Sequence, residues 1–310
     1  MTISLKAQKA DTNGMTEMTK GVTAYSAKNY TEAINWFKKA AEKGYVDAIY
    51  NIGVMYGNGI GVVQDYTEAV NWYKKAAEKD NIGAMVNLGV MYHDGLGIAK
   101  NFTEAIKWYT KAAEKGSTNA MHNLGLIYTN GNGVKQNHTE AMKWFRKSAE
   151  QNNANSMYSI GLMYANGEGV EQNYNEAINW YKKAAEMGEE RSMLNIGLLY
   201  DQKQNYTEAL KWYTKATEKG DYKAMNNIGV FYLTGQGVEK NYTEALKWFK
   251  KGADKGNIEA LLSIGLMYLR GQGVEKNNTE ALKWFQKADA NGNTNAKKYI
   301  DLLKNRTSNN

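Results

Sequence analysis

Asn29-Tyr30-Thr31-Glu32-Ala33-Ile34-Asn35-Trp36-Phe37-Lys38-Lys39-Ala40-Ala41-Glu42 is the phrase from which most of the chain is built. The eight tryptophans, Trp36, Trp72, Trp108, Trp144, Trp180, Trp212, Trp248 and Trp284, all sit in copies of it. Their spacings are 36, 36, 36, 36, 32, 36 and 36 residues. A fixed period in this range marks a repeat array, in which each unit buries its apolar face against the next. Two compact domains, the ordinary expectation for 310 residues, do not fit it. Units begin at residues 29, 65, 101, 137, 173, 205, 241 and 277, the last one truncated.

The apolar spacing inside one unit gives two helices. Asn29 followed by Glu32 reads as a capping box, the asparagine holding an orphan amide and the glutamate reaching back. Ala33, Trp36, Phe37, Ala40 and Ala41 recur at i, i+3, i+4, i+7 and i+8, one stripe of a helix. A tryptophan can remove ~150–250 Å² from water, which assigns the tryptophan column to the core. Gly44 closes this helix as a C-cap. A second helix is expected from about Asp47 to Gly57, with Ala48, Ile49, Ile52, Gly53 and Tyr56 as its packing face, and Gly59-Ile60-Gly61-Val62 turns the chain back. The fold class is therefore all-α, a solenoid of stacked antiparallel helix pairs over residues 14–304. Residues 1–13 and 305–310 read as disordered tails. Lys20, and at the far end Asp301 and Lys304, stand where other units carry apolar or glycine signature residues, which suits faces that meet water. The unit starting at Asn173 is four residues short and lacks the Gly-x-Gly loop, reading Asp201-Gln202-Lys203-Gln204-Asn205.

Composition narrows the function. The chain is 43% hydrophobic and 23% charged, with a mean hydropathy of −0.64, and no apolar run is long enough to cross a membrane as a helix. It has no cysteine, which excludes disulfides and thiolate chemistry, and no proline, which favours uninterrupted helices. Met1 to Gly14 lacks an apolar signal-like core, so a cytoplasmic setting is expected, with a secreted or periplasmic one left open. The net charge of +7 is carried by lysine, and the arginines are only Arg146, Arg191, Arg270 and Arg306. Readers of phosphates and bases rely on arginine's bidentate fork, so nucleic acid is not the expected partner.

Reactive chemistry finds little support. A Gly-x-Gly loop closes six of the hairpins, but after a helix, without the glycine spacing of a dinucleotide fingerprint and without the lysine–hydroxyl pair of a phosphate loop, so turn geometry accounts for it. His93, His122 and His138 fall on different helices with no regular carboxylate set, so no metal or other cofactor is expected. No nucleophile stands beside a base, and the paired Glu104–Lys107 and Glu244–Lys247 are solvated i, i+3 pairs. The chain reads as a non-enzyme. The Asn-x-Thr triplets at Asn29, Asn101, Asn137, Asn205, Asn241 and Asn277 coincide with N-cap positions, which suffices to explain them.

The Leu88-Gly89-Val90-Met91-Tyr92 step, the Gly-x-Gly-Val loop and Ala69-x-x-Trp72-Tyr73-x-Lys75-Ala76-Ala77-Glu78 together resemble the Sel-one-like repeat of the tetratricopeptide superfamily. The resemblance covers residues 15 to about 300. It implies a right-handed superhelix with one helix of each pair lining the concave side, and a role as adaptor or scaffold. On that geometry the groove would present Tyr50, Asn51, Asn87, His93, His122, Asn123, Tyr158, Asn195, Asn227 and Arg270. The asparagines resemble the backbone-clamping residue of peptide-binding tetratricopeptide grooves, an amide that both donates and accepts. Leu233, Leu262 and Leu269 would make the later part of the groove apolar. The expected function is a monomeric scaffold that binds a peptide or helical segment of a protein partner. A carbohydrate or cell-wall binder at a bacterial surface is the alternative, and a hydrolase a more distant one.

Overall fold

A computed structural model describes residues 14–307, and among them every regular element is an α-helix, seventeen in all. The chain divides into two compact units, Met1–Gln172 and Asn173–Asn310. The first holds α1 (Met15–Ser26), α2 (Tyr30–Glu42), α3 (Val46–Asn58), α4 (Tyr66–Ala77), α5 (Ile82–Asp94), α6 (Phe102–Glu114), α7 (Thr118–Asn130), α8 (His138–Ala149) and α9 (Ala154–Asn166). The second holds α10 (Tyr174–Glu186), α11 (Arg191–Gln202), α12 (Tyr206–Glu218), α13 (Tyr222–Thr234), α14 (Tyr242–Asp254), α15 (Ile258–Arg270), α16 (Asn278–Ala290) and α17 (Ala296–Thr307). Within each unit successive helices pack as antiparallel hairpins, the all-α repeat architecture the period predicts. The tails expected at 1–13 and 305–310 fall outside the described residues, except that α17 continues as helix through Thr307.

Capping sets the boundaries. The side-chain oxygens of Asn101, Asn137, Asn205, Asn241 and Asn277 each accept the amide of the glutamate three residues on, and Asp65 and Asn173 do the same. Asn29 departs from this expectation. Its side chain makes no cap bond, and its Nδ2 donates to Glu32 Oε2 at 2.7 Å. Its backbone, φ −85° and ψ 70°, is shared with Asn205 at φ −89° and ψ 71°, which still accepts from Glu208 at 3.3 Å, so the Nδ2–Glu32 bond and not the backbone distinguishes Asn29.

The tryptophan column is not the deepest part of the core. All eight indoles are half-buried, and the aromatic that follows each one is sealed: Phe37, Tyr73, Tyr109, Phe145, Tyr181, Tyr213, Phe249 and Phe285 are at most 3% exposed. The reason lies in the opposing helix. A Cβ placed on Gly53, Gly89, Gly125, Gly197, Gly229 or Gly265 would come within 2.4–2.7 Å of the ring of Tyr73, Tyr109, Phe145, Tyr213, Phe249 or Phe285 respectively. The signature glycine is thus the floor on which that ring lies. The indole, one position round the helix, lies at the rim, covered by a lysine three residues on. Lys39, Lys75, Lys111, Lys147, Lys183, Lys215, Lys251 and Lys287 place Nζ 4.2–4.7 Å from their indole centroids. Each contact is worth ~0.5–1 kcal/mol where solvent still reaches it. Lys20, from the terminal helix α1, lies over the Trp36 ring as well, at 4.4 Å.

Two hairpin types alternate with these rules. In the common type, a glycine with positive φ ends the helix and a second one lets the loop press on the preceding repeat. Gly97, at φ 68°, would put a Cβ 2.2 Å from the Tyr66 backbone. The α11–α12 turn is the short type, with Gln204 in the left-handed region at φ 58°. The α1–α2 turn shares it through Lys28 at φ 62°.

Candidate functional site

The residues expected to line a groove separate into three groups. Tyr50, Asn51 and Asn87 are buried, at 7%, 0% and 8% exposure, and do not present an open surface. Tyr50 lies 6.0 Å from the Tyr73 ring, centroid to centroid, and its hydroxyl accepts from Asn87 Nδ2 at 3.5 Å. The Tyr213 hydroxyl, in the helix before Asn227, donates to Asp201 Oδ2 at 3.5 Å, and the side chains of Asn87, Asn123 and Asn227 lie near the sealed phenols of Tyr73, Tyr109 and Tyr213. Burial raises the pKa of the Tyr73, Tyr109 and Tyr213 phenols, and the asparagine side chain near each offsets part of the rise. Much of the asparagine column's bonding capacity is therefore used inside the scaffold.

The second group stays half-buried and engaged. His122 places Nδ1 3.0 Å from Ser156 Oγ, with its ring 5.4 Å from Phe145. Tyr158 on α9 and Asn195 on α11 are half-buried. Arg270 stands apart, exposed in the last turn of α15. Leu233 packs half-buried against the α14–α15 core, and Leu262 and Leu269 against the α16–α17 core.

The third group forms a site. His93 and Asn123 open onto one cavity of about 270 Å³ on the outer face of α5 and α7. Its floor is Val90, Ile127 and the ring of Tyr109, and its polar wall is His93, Asp94, Asn123, Asn130 and Asn132. Leu126 lies among them with 39% exposure. His93 has Nδ1 2.6 Å from Asp94 Oδ1 and Nε2 3.3 Å from Asn132 Nδ2, so one ring nitrogen donates and the other accepts. Phe102 meets the same ring edge-on at 5.3 Å. Among the described residues no cluster of three or more His, Asp or Glu could hold a metal ion, and no helix is long and apolar enough to cross a membrane.

Sequence reasoning missed Leu126, Asp94, Asn130 and Asn132. The signal was present. The position after the signature glycine reads Val54, Val90, Leu126, Leu162, Leu198, Val230 and Leu266, yet Leu126 and Leu198 are exposed and four of the others only half-buried. Val90, Val230 and Leu266 still pack against the core from this column, whereas Leu126 and Leu198 are exposed.

Stacked helix pairs with a glycine floor under their core aromatics define a helical-repeat protein. Sel1-repeat models match residues 20–45, 46–81, 82–117, 118–153, 154–189, 223–257 and 258–293. The chain belongs to the Sel1-repeat family. A tetratricopeptide-repeat model matches residues 190–218, the α11–α12 hairpin with the short turn. No curated relative matches the chain. Among solved structures it is similar to a protective antigen of uropathogenic Escherichia coli strains, with an SLR fold, at 30% identity and TM-score 0.80. That alignment covers 94% of this chain and 65% of the antigen, so the chain spans about two thirds of that protein's length. A Sel1 repeat protein from Oxalobacter formigenes is 29% identical over 94% of this chain and 88% of its own, with TM-score 0.77. Yeast Tom70, 15% identical with TM-score 0.51 over 99% of this chain and 68% of its own, shares the fold.

Proposed function

We propose that the chain is a protein-binding scaffold, without catalytic activity of its own, whose docking surface is the outer face of α5 and α7. One observation carries this reading: Leu126, 39% exposed, sits in a cavity ringed by amide and imidazole groups. An apolar anchor pocket with several groups able to donate and accept is what an extended protein segment requires, a side chain for the pocket and a backbone for the amides. The half-buried column of Val90, Leu162, Val230 and Leu266 supplies further apolar contact on each unit's outer face.

The test is capture of partners from lysate by the wild type, by Leu126→Asp/Asn130→Ala and by the control Lys107→Glu on α6. Loss with the first variant alone supports the reading; capture unchanged in both sinks it. Alanine at Asn87 or Asn123 is a poorer probe, because it orphans a buried phenol. A carbohydrate ligand draws less support. Tyr50 is buried, and each indole already carries a lysine against it.

A further inference from the structure

In each Gly-x-Gly loop the second glycine keeps its amide unengaged. The N–H groups of Gly61, Gly97, Gly133, Gly169, Gly237 and Gly273 have no backbone acceptor among the described residues. The residues before them read Ile60, Leu96, Asn132, Glu168, Gln236 and Gln272. Chemistry separates these six. An asparagine places its side-chain carbonyl carbon where the next amide nitrogen can close a five-membered ring on it, and a following glycine sets no side chain in the way. Glutamine would need a larger ring, a carboxylate repels a nucleophile, and Ile60 and Leu96 offer no carbonyl. Asn132 alone pairs a reactive carboxamide with one of these unengaged amides.

The other asparagine–glycine steps within the described residues are held. The N–H of Gly131 donates to the Ile127 carbonyl at 2.9 Å and that of Gly167 to the Met163 carbonyl at 2.9 Å, as their helices end. Gly292 donates to the Asp289 carbonyl at 2.9 Å and Gly59 to that of Tyr56 at 3.4 Å. Each of these bonds must open before the nitrogen can attack. Asn132 instead stands half-buried in the wall of the Leu126 cavity, with its Nδ2 3.3 Å from His93 Nε2.

We propose that Asn132 is a site of self-modification, the Asn132–Gly133 step deamidating within the folded chain. The Gly133 nitrogen gives its proton to water and bonds to Asn132 Cγ. The Cγ–Nδ2 bond breaks, and the departing nitrogen takes a proton from water and leaves as ammonia. Water then opens the cyclic imide at either carbonyl, which leaves aspartate or isoaspartate at position 132. The product sets a carboxylate where the amide faced His93 Nε2, with Asp94 Oδ1 already 2.6 Å from Nδ1 on the other side of the ring. The cavity wall thereby exchanges a group that donates and accepts for an anion. The effect on binding rests on the docking surface assigned under the proposed function. A wall that met a partner's backbone carbonyl through Nδ2 then repels it and favours a cationic side chain.

The test ages the full chain at mildly alkaline pH, folded and in urea, and follows each asparagine by tandem mass spectrometry, with isoaspartate read by enzymatic methyl esterification. In the folded chain Asn132 should convert about fivefold or more faster than Asn58, Asn130, Asn166 and Asn291. In urea all of them should convert within about twofold of one another, since the protection given by local structure is lost. Asn132→Gln should abolish the leading conversion, and Asn130→Gln, which separates the two neighbouring steps, should leave it in place. The chain has three histidines, and the imidazole resonances of His93 alone should give way to a second set as Asn132 converts. Another step leading in the folded chain, equal rates there, or the same lead in urea overturns the proposal. So do His93 resonances that stay unchanged while Asn132 converts. None of these readouts needs a partner, so they stand or fall separately from the capture experiment on Leu126.

Discussion

The Asn123 side chain lies near the Tyr109 phenol beside the cavity and lowers its pKa against the rise that burial causes, and the same pair of residue types recurs along the sequence. Tyr73, Tyr109, Tyr181 and Tyr213 are each followed fourteen residues later by asparagine, while Phe145 and Phe249 are followed by serine. A phenol that cannot reach water needs a partner, and a phenyl ring does not. Tyr109→Phe should therefore cost about 1 kcal/mol by orphaning Asn123, and Tyr109→Phe/Asn123→Ser should recover most of it. A double-mutant cycle in urea with no coupling would remove the pairing from the account. The phenols also set the alkaline limit. Tyr73, Tyr109 and Tyr213 are held above the ordinary phenol range by burial, whereas in the unfolded chain they ionise near ~10. Above that pH the unfolded chain loses protons that the folded chain keeps. Each phenol then removes up to ~1.4 kcal/mol of stability per pH unit, and below it contributes no pH dependence. Urea midpoints at pH 9 and 11 should fall further for the wild type than for Tyr73→Phe/Tyr109→Phe/Tyr213→Phe; equal falls would contradict the assignment. This covariation was legible in the sequence as spacing alone. What the stripe could not tell is depth. Trp36 and Phe37 share one helical face, and the glycine floor on the opposing helix decides which is sealed.

At the scale of the hairpin, glycine does two separate jobs, and the sequence showed both positions but only one reason. The Gly-x-Gly loops read correctly as turns. The glycine of the Leu-Gly step read as a family signature, and its physical cause is the ring lying on it. A methyl on Gly125 would approach Phe145 to 2.4 Å. Gly125→Ala should thus destabilise the α7–α8 hairpin by about 1–3 kcal/mol or more, as overpacking does, with a lowered melting temperature as the readout. The opposite sign is expected at the short turn. Gln204 holds a left-handed backbone at φ 58°, which costs a non-glycine residue roughly 1 kcal/mol. Gln204→Gly should raise the melting temperature slightly, the relief of strain exceeding the added entropy of the unfolded chain. No rise, or a fall, would mean that the short turn is held by contacts of the Gln204 side chain instead. The four-residue deletion was plain in the sequence, and its consequence followed: α11–α12 is the hairpin that matches the tetratricopeptide model.

Across the whole chain, every core is built from neighbouring helices. Residues of α3–α7 form one buried cluster, while α12–α13, α14–α15 and α16–α17 each form their own. Stability in such an array is a sum of unit and nearest-neighbour terms, so damage stays where it is made. This matters for the proposed function, because a surface assembled repeat by repeat can be altered at Leu126 without refolding the rest. The period made that organisation legible before any coordinates. It could not reveal that Leu126 stays 39% exposed while Val90 is half-buried, since both carry the same pattern. The consequence is measurable in one experiment. Native-state hydrogen exchange of Gly125→Ala should show lost protection in α7, α8 and their immediate neighbours, with α13–α16 retaining wild-type rates. A uniform loss over all helices would mean that the array unfolds as one cooperative body. Its docking face could then not be edited repeat by repeat, and the stability terms would have to be assigned to the whole stack rather than to its hairpins.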